Sequence, residues 1–473
     1  MKVKSKKAKV KNMSNKFSLR FCVVALILTA FSINIFAQKE MPPVGGQPKP
    51  FVFPAQENFT LPNGMKVTLV QFGSVPKVAM QAVVYTGTKD DAKDKMGVSD
   101  FAGRMLKENT KNRTGEQIAR ESAEMGGRVN VSVGVDSTNF SGEVLSEFDV
   151  QFLNLLADVM LNPNYKTEDL ERLRANRLRS LAISRQQAGN QAWTKFRELI
   201  YPNHPFGQLN PRDEEVKNAT LEDITKFYND NYGAAKTHLY VVGRFNSATV
   251  KKAIENAFSG WKKGNPATRN VPNNNAKRNF ATIDRPNSPQ STIYLGMPAP
   301  NPSDADFVKF SVMDTILGGA FGSRITANIR ENKGYTYSPG SFVFNRYRTG
   351  FWIESADVTT EFTGASIKEI LFEINRMKTE PVGEKELSGI KNYLVGLYVL
   401  QNSSRFGIIG QLENLNYYEL PPNEINNYIK NVLAVTPKDI QDAANKYLTE
   451  DKMTIVVVGD KSKITEQLKP YEK

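Results

Sequence analysis

Two duplicated lobes, each mixing antiparallel strands with helices in an α+β arrangement, are what the sequence predicts. Three observations carry this reading. First, Thr220, Asp223, Ile224, Val241, Val242 and Gly243 recur as Thr436, Asp439, Ile440, Val457, Val458 and Gly459, at a constant offset of 216 residues. Each copy is a threonine-opened helix leading to a strand that ends Val-Val-Gly, and a fixed spacing over such a span marks an internal repeat. Second, apolar residues alternate with period two over 129–135 and again around Phe140 and Val144, which predicts paired antiparallel strands. Third, the polar stretch Gly264–Arg278, holding Pro and five Asn, separates the two copies as a linker. Two copies form a pseudo-symmetric pair with a cleft between them, not a solenoid.

Taken in order, residues 1–37 read as an export signal. A basic segment precedes the apolar run Phe21–Phe36, and Ala37 offers a small residue at the cut; Met1 and Met13 are alternative starts, and an uncleaved anchor is the competing reading. Residues 38–54 hold seven Pro and Gly and read as a tether. The first lobe is placed at 55–263, the linker at 264–280 and the second lobe at 281–473. The run Phe59–Val67, with Pro62-Asn63-Gly64 at its centre, predicts a hairpin. A strand is expected over Val78–Thr86 and helices over Met96–Glu108, Phe152–Met160 and Glu168–Ser184. Another helix over Thr114–Ala123 opens on the capping pair Thr114 and Gln117. Glu168–Ser184 has its counterpart near Glu384–Leu400.

Charge removes one class of function. The net charge is +13, but eight of those positive charges and no acid lie in residues 1–37. The remainder is mildly basic, so no nucleic-acid partner is expected. Cys22 is the only cysteine, so a processed, exported chain carries no disulfide and relies on its core, which its size allows. No Ser/His/Asp, cysteine or phosphate-loop arrangement stands out.

Gly318–Ser338, GGAFGSRITANIRENKGYTYS, is the most informative stretch. Glycines at 318, 319 and 322 allow close approach of a backbone or a ligand. Ile325 and Ile329 share a helix face that excludes Arg330, and Gly334 predicts the helix end. Arg330 and Tyr337 can converge on one point, and a guanidinium with a phenol suits a carbonyl oxygen that becomes anionic during acyl transfer. Read locally, Arg330 equally serves the last carbonyls of its helix and the tyrosines equally serve a strand.

Five features then stand in order: the Leu61-Pro62-Asn63-Gly64 hairpin, GVSDFAGRM at 97–105, His204-Pro205-Phe206-Gly207, the stretch just described, and the two Val-Val-Gly lobe ends. Together they resemble the pitrilysin, insulinase and mitochondrial-processing-peptidase family of zinc peptidases with an inverted metal motif, from about Phe59 to about Leu468. The resemblance implies lobes that are each an antiparallel sheet covered by helices, and a chamber built from two such two-lobed units around an unfolded peptide. It also implies a catalytic helix with H-x-x-E-H, in which two histidines hold the metal and a glutamate takes a proton from its water. Here the corresponding positions are Asp100, Gly103 and Arg104, and the distal carboxylate falls near Ser180. The histidines, His204 and His238, lie elsewhere and read as structural.

This chain is thus similar to a degenerate member without the zinc motif: metal none, cofactor none, with zinc expected in a partner subunit. Asp100 and Arg104, four apart with the acid first, are suited to an ion pair. The family's second element, an Arg and a Tyr seven residues apart, maps onto Arg330 and Tyr337, with Tyr335 an alternative. Gly318 and Gly319 are candidate substrate-binding positions. The resemblance implies a subunit of an exported, periplasmic heterodimeric metallopeptidase that supplies the Arg/Tyr pair to a homologous zinc-bearing chain acting on unfolded peptides. No activity is expected of the chain alone, and no membrane association beyond the signal. The alternative is an inert peptide-binding or scaffold protein of the same fold.

Overall fold

Both sheets grow from strands that are apolar on two faces, and this sets the architecture. The computed structural model describes residues 52–269, 271–272 and 277–472. The export signal, most of the tether and part of the linker lie outside the described residues. The first lobe runs β1 (Gln56–Thr60), β2 (Lys66–Gln71), β3 (Lys77–Val84), α1 (Val98–Met105), α2 (Gly115–Glu124), β4 (Asn130–Val133), β5 (Thr138–Leu145), α3 (Asp149–Leu161), α4 (Thr167–Gln186), α5 (Ala188–Ile200), α6 (Asp213–Asn218), α7 (Leu221–Asn231), β6 (Thr237–Gly243) and α8 (Ser247–Phe258). The second runs β7 (Asn279–Asp284), β8 (Gln290–Pro298), α9 (Phe307–Asp314), β9 (Gly340–Arg346), β10 (Thr349–Thr359), α10 (Thr363–Thr379), α11 (Glu384–Gln401), α12 (Arg405–Tyr417), α13 (Glu424–Ala434), α14 (Pro437–Tyr447), β11 (Thr454–Gly459) and α15 (Lys461–Leu468).

The sheet orders are β1-β2-β6-β3-β5-β4 and β7-β11-β8-β10-β9. With β1 set aside they are the same order, so the repeat seen in sequence is a repeat of topology. Each sheet is mainly antiparallel but holds one parallel pair, β2 with β6 and β7 with β11. The last strand of each lobe returns after a long helical excursion, and such a crossover can insert a strand in either direction. Local chemistry is repeated as well. Thr220 with Asp223 and Thr436 with Asp439 form matching capping boxes at the starts of α7 and α14. Gly64 closes the first hairpin at φ +93°, a conformation suited to glycine.

The lobes are joined by an exchange of helices. Helix α5 belongs to the first lobe by chain order but packs on the second sheet. Its Ala192, Phe196 and Ile200, spaced four apart, are buried with Phe351, Ile353, Val456 and Val458. Helix α12 does the converse: Ile408, Ile409 and Leu412 are buried against Val70, Ala79, Val83, Tyr240 and Val242 of the first sheet. Strands β6 and β11 therefore have both faces covered. Leu239 and Val241 meet the first lobe's own helices while Tyr240 and Val242 meet α12, which is why these strands read as unbroken apolar runs. Arg405 pins α12 to the first sheet, donating to the backbone oxygens of Lys77 (3.0 Å) and Val75 (2.9 Å) and pairing with Glu143 at 2.8 Å. In the linker, Arg269 lies over Tyr347, 4.3 Å from the ring centre, and donates to the Tyr417 carbonyl at 2.6 Å. Among the described residues no helix is long and apolar enough to cross a membrane.

Because each lobe's core is completed by the other, the lobes should unfold together. Phe196→Ala removes a ring from the exchanged contact and is expected to cost about 3–5 kcal/mol. Guanidinium denaturation followed by tryptophan fluorescence should still show one transition; two transitions, with the first lobe unaffected, would contradict the exchange as the joint.

Candidate functional site

In the first lobe, helix α1 starts at Gly97, whose φ of +97° turns the chain into the helix. Asp91 caps that start, accepting the N–H groups of Gly97 and Ser99, each at 2.8 Å, and the Ser99 hydroxyl at 3.0 Å. Burial pushes the Asp91 carboxyl up to about 6. One turn on, Arg104 Nε pairs with Asp100 Oδ1 at 2.6 Å. From α4, Arg177 approaches the other oxygen, Nε to Oδ2, at 3.9 Å. Ser180, one turn further along α4, is exposed.

Two guanidiniums around one carboxylate are the wrong donor set for a zinc ion, which needs neutral imidazole or anionic ligands. A glutamate at 103 is also excluded on space, since even a Cβ there would run into Val133 Cγ2 of β4. Among the described residues no three His, Cys, Asp or Glu side chains converge to hold a metal. His204 caps the short turn after it, accepting the Phe206 N–H at 3.1 Å. His238 is buried in β6, 2.8 Å from Thr68 Oγ1 and stacked on Tyr240. The residues of α1 and α4 do not fit the metal that their position suggests.

The second lobe organises the glycine-rich stretch differently. After α9 the chain passes through a wide helical turn, Thr315–Gly319, then a tight turn closed by Ser323 N–H to Ala320 O at 2.9 Å. A second wide turn covers Thr326–Asn332. Ile325 and Ile329 face the core, fully buried, and Arg324 grips Glu386 of α11 with two bonds of 2.9 and 2.8 Å. The stretch ends at Gly334 with φ +68°, its N–H on Arg330 O and the Tyr335 N–H on Ile329 O, the left-handed glycine stop expected there.

Beyond it, Thr336 bridges to Val358 and donates its hydroxyl to Asp357 O at 2.7 Å. Tyr335 turns inward and stacks on Phe362, ring centres 4.5 Å apart. Tyr337 turns outward and is 79% exposed. Arg330 lies over the Tyr337 ring, 5.0 Å from its centre, and over the Phe321 ring at 4.4 Å. An open groove of about 480 Å³ runs past Gln290, Arg330, Tyr335, Thr336, Tyr337 and Thr359. The structure thus brings Arg330 and Tyr337 into contact, while Tyr335 lines the same groove with its ring stacked on Phe362.

Gly318 has a different role from the substrate contact expected of it. It is buried, and a Cβ there would strike Glu354 Oε2 and Ser341 Oγ, so the glycine makes room for a buried acid. Gly319 is exposed but backs onto Asp314. Asp314 accepts hydrogen bonds from Ser341 Oγ and from Trp352 Nε1, the latter at 2.7 Å, and burial pushes its carboxyl up to about 6. Glu354, on β10, is 0% exposed, and no side chain hydrogen-bonds its carboxyl. Burial, reinforced by neighbouring Asp314 and opposed by the Gly340 backbone N–H, holds it well above the carboxylate range.

Arg177, Phe321 and the Asp314–Glu354 pair escaped the sequence reading. A signal existed for two of them: an aromatic set among glycines at 321, and an acid directly after the apolar triplet Phe351-Trp352-Ile353.

Comparison with known proteins agrees with this geometry. Residues 66–200 match the model for insulinase, peptidase family M16, and residues 218–394 match the model for the peptidase M16 inactive domain. The chain belongs to the M16 peptidase family. An uncharacterized zinc protease of Rickettsia felis is 26% identical over 411 residues, covering 85% of this chain and 98% of the relative. A non-peptidase homologue, YmxG, of Helicobacter pylori is 20% identical over 376 residues, 78% of this chain and 86% of the relative. The crystal structure of an M16 inactive domain from Pseudomonas fluorescens superposes with a TM-score of 0.79 at 24% identity, over 86% of this chain and 98% of that one. This M16 chain is a peptidase homologue of the inactive-domain type.

The buried acids make a pH prediction. A carboxyl whose pKa is raised on folding stabilises the fold below its unfolded value, near 4, and that stability is lost as pH rises through the folded value. Glu354→Gln keeps the shape of the protonated acid without its ionisation. It should raise the melting temperature at about pH 8 and flatten the loss of stability between about pH 5 and pH 8. An unchanged pH profile by differential scanning calorimetry would show that Glu354 does not titrate there.

Proposed function

We propose that this chain is the zinc-free, Arg/Tyr-supplying subunit of an exported two-chain peptidase, working beside a homologous chain that holds the zinc. One observation carries the reading: Arg330 and Tyr337 are held together at an open groove, while the zinc position in the first lobe is occupied by the Asp100–Arg104 ion pair. With its guanidinium over the Tyr337 ring, Arg330 puts N–H donors on the same groove wall as the exposed phenol O–H. In the groove such an acceptor is the carbonyl of an extended peptide, whose oxygen gains negative charge as the bond is cleaved; donors already in place stabilise that charge without reorganising. Arg330 forms a 3.4 Å ion pair with Glu331, and one such contact leaves most of its five donors for a ligand. The basic and apolar residues before Gln38 support export. A second reading, an inert peptide-binding or scaffold protein, is favoured by the name of the Helicobacter relative, a non-peptidase homologue.

The two readings separate in a reconstituted pair. With the zinc-bearing partner present, Arg330→Ala or Tyr337→Phe should lower peptide turnover by about 10²–10³, the scale for losing one donor at a developing oxyanion. Association of the two chains, followed by size-exclusion chromatography, should be unchanged. Turnover that survives both substitutions would favour the inert reading.

A further inference from the structure

Phe321 is 75% exposed, at the tip of the turn that Ser323 closes onto Ala320. A large ring in that position adds nothing to the core. What it touches is the cation of the proposed site: Arg330 Cζ lies 4.4 Å from its centre and 5.0 Å from that of Tyr337. The two rings come from different elements, one from the turn before the wide helix and one from the segment after it. Their joint contact restrains a side chain that would otherwise sample several rotamers. The ring contacts consume none of its N–H donors outright, and its one ion pair, to Glu331 at 3.4 Å, leaves others for a hydrogen-bond acceptor. A phenyl ring has two faces, and the guanidinium takes one. At 75% exposure, beside the exposed Tyr337, Phe321 keeps ring surface open to a ligand.

We propose that Phe321 is a positioning and specificity-determining residue of the Arg330–Tyr337 site. One face of its ring fixes the guanidinium, and the other is a wall for an apolar side chain of an extended peptide whose carbonyl meets Arg330. This rests on the reading of that site as a peptide site, and it adds a preference: peptides with a large aliphatic or aromatic residue next to the held carbonyl, over those with glycine or an acid there. Phe321 sits on a turn outside both cores, so substituting it should leave the fold intact.

The test uses the full chain alone, labelled with ¹⁵N-arginine, and two fluorescein-labelled unstructured peptides that differ by leucine or glycine at one position. In the wild type the Arg330 Nε–H resonance should be displaced by the ring currents of its two aromatic neighbours. In Phe321→Ala it should move toward the free-arginine position, and in Phe321→Tyr it should return. By fluorescence anisotropy the leucine peptide should bind more tightly than the glycine peptide. Phe321→Ala should weaken the leucine peptide about two- to five-fold and abolish the difference, while Phe321→Tyr restores it. An unmoved resonance in Phe321→Ala, no leucine preference in the wild type, or no binding of either peptide each overturns the inference. None of these measurements involves turnover or a partner chain. Failure of the two-chain reading, seen as turnover that survives Arg330→Ala, is therefore a separate result.

Discussion

Everything in this molecule depends on the exchange of α5 and α12 between the lobes. Each sheet has two apolar faces, and its own helices cover only one. The second face of each is covered by a helix that the chain sends from the other lobe. The hydrophobic effect then acts on both lobes through one set of contacts, since withdrawing either helix would expose an apolar sheet face to water. Two polar devices hold the arrangement in register. Arg405 ties the start of α12 to the backbone beside β3, and Arg269 ties the linker to the aromatic rings at the lobe junction. The relative position of the two candidate sites follows from that joint rather than from the linker itself.

On this common frame the two lobes have taken opposite chemical courses. In the first, the helix at the metal position packs tightly. Gly103 lets Val133 approach, and Asp100 is matched to Arg104 and flanked by Arg177. A carboxylate that is largely buried is tolerated because cations stand next to it. In the second, the buried acids Asp314 and Glu354 have no cation, and their carboxyls are pushed toward the protonated form instead. They lie directly behind Gly318, at the root of the turn that carries Phe321 and leads to Arg330. The outer surface there is the reverse of the inner one: the exposed rings of Phe321 and Tyr337 around a half-buried arginine, beside an open groove.

Much of this was legible in the sequence, for identifiable reasons. The repeat was visible because Thr220–Asp223 and Thr436–Asp439 perform the same capping chemistry and the Val-Val-Gly strands are interior strands of their sheets, paired on both sides. The end of the helical stretch at Gly334 was visible because a left-handed stop needs glycine. The choice between Tyr335 and Tyr337 was not visible, since it depends on a single bridge from Thr336 to Val358 that no spacing rule contains. Nor was the exchange of helices. The spacing of Ala192, Phe196 and Ile200 gives α5 an apolar stripe but not the sheet it meets, and α12 has no comparable stripe. Gly318 was misread for a related reason: a glycine that admits a ligand and one that admits a buried glutamate look alike until the strand carrying Glu354 is in place.

The central claim is that the Arg330–Tyr337 pair serves chemistry housed in another chain. The most direct measurement is native mass spectrometry, with metal analysis, of the complex isolated from its own cells through a tag on this chain. A pair of unlike chains is expected, with a single zinc that stays with the partner when the two are separated. Recovery of this chain only as a monomer or a pair of identical copies, or with zinc bound to itself, would contradict the claim.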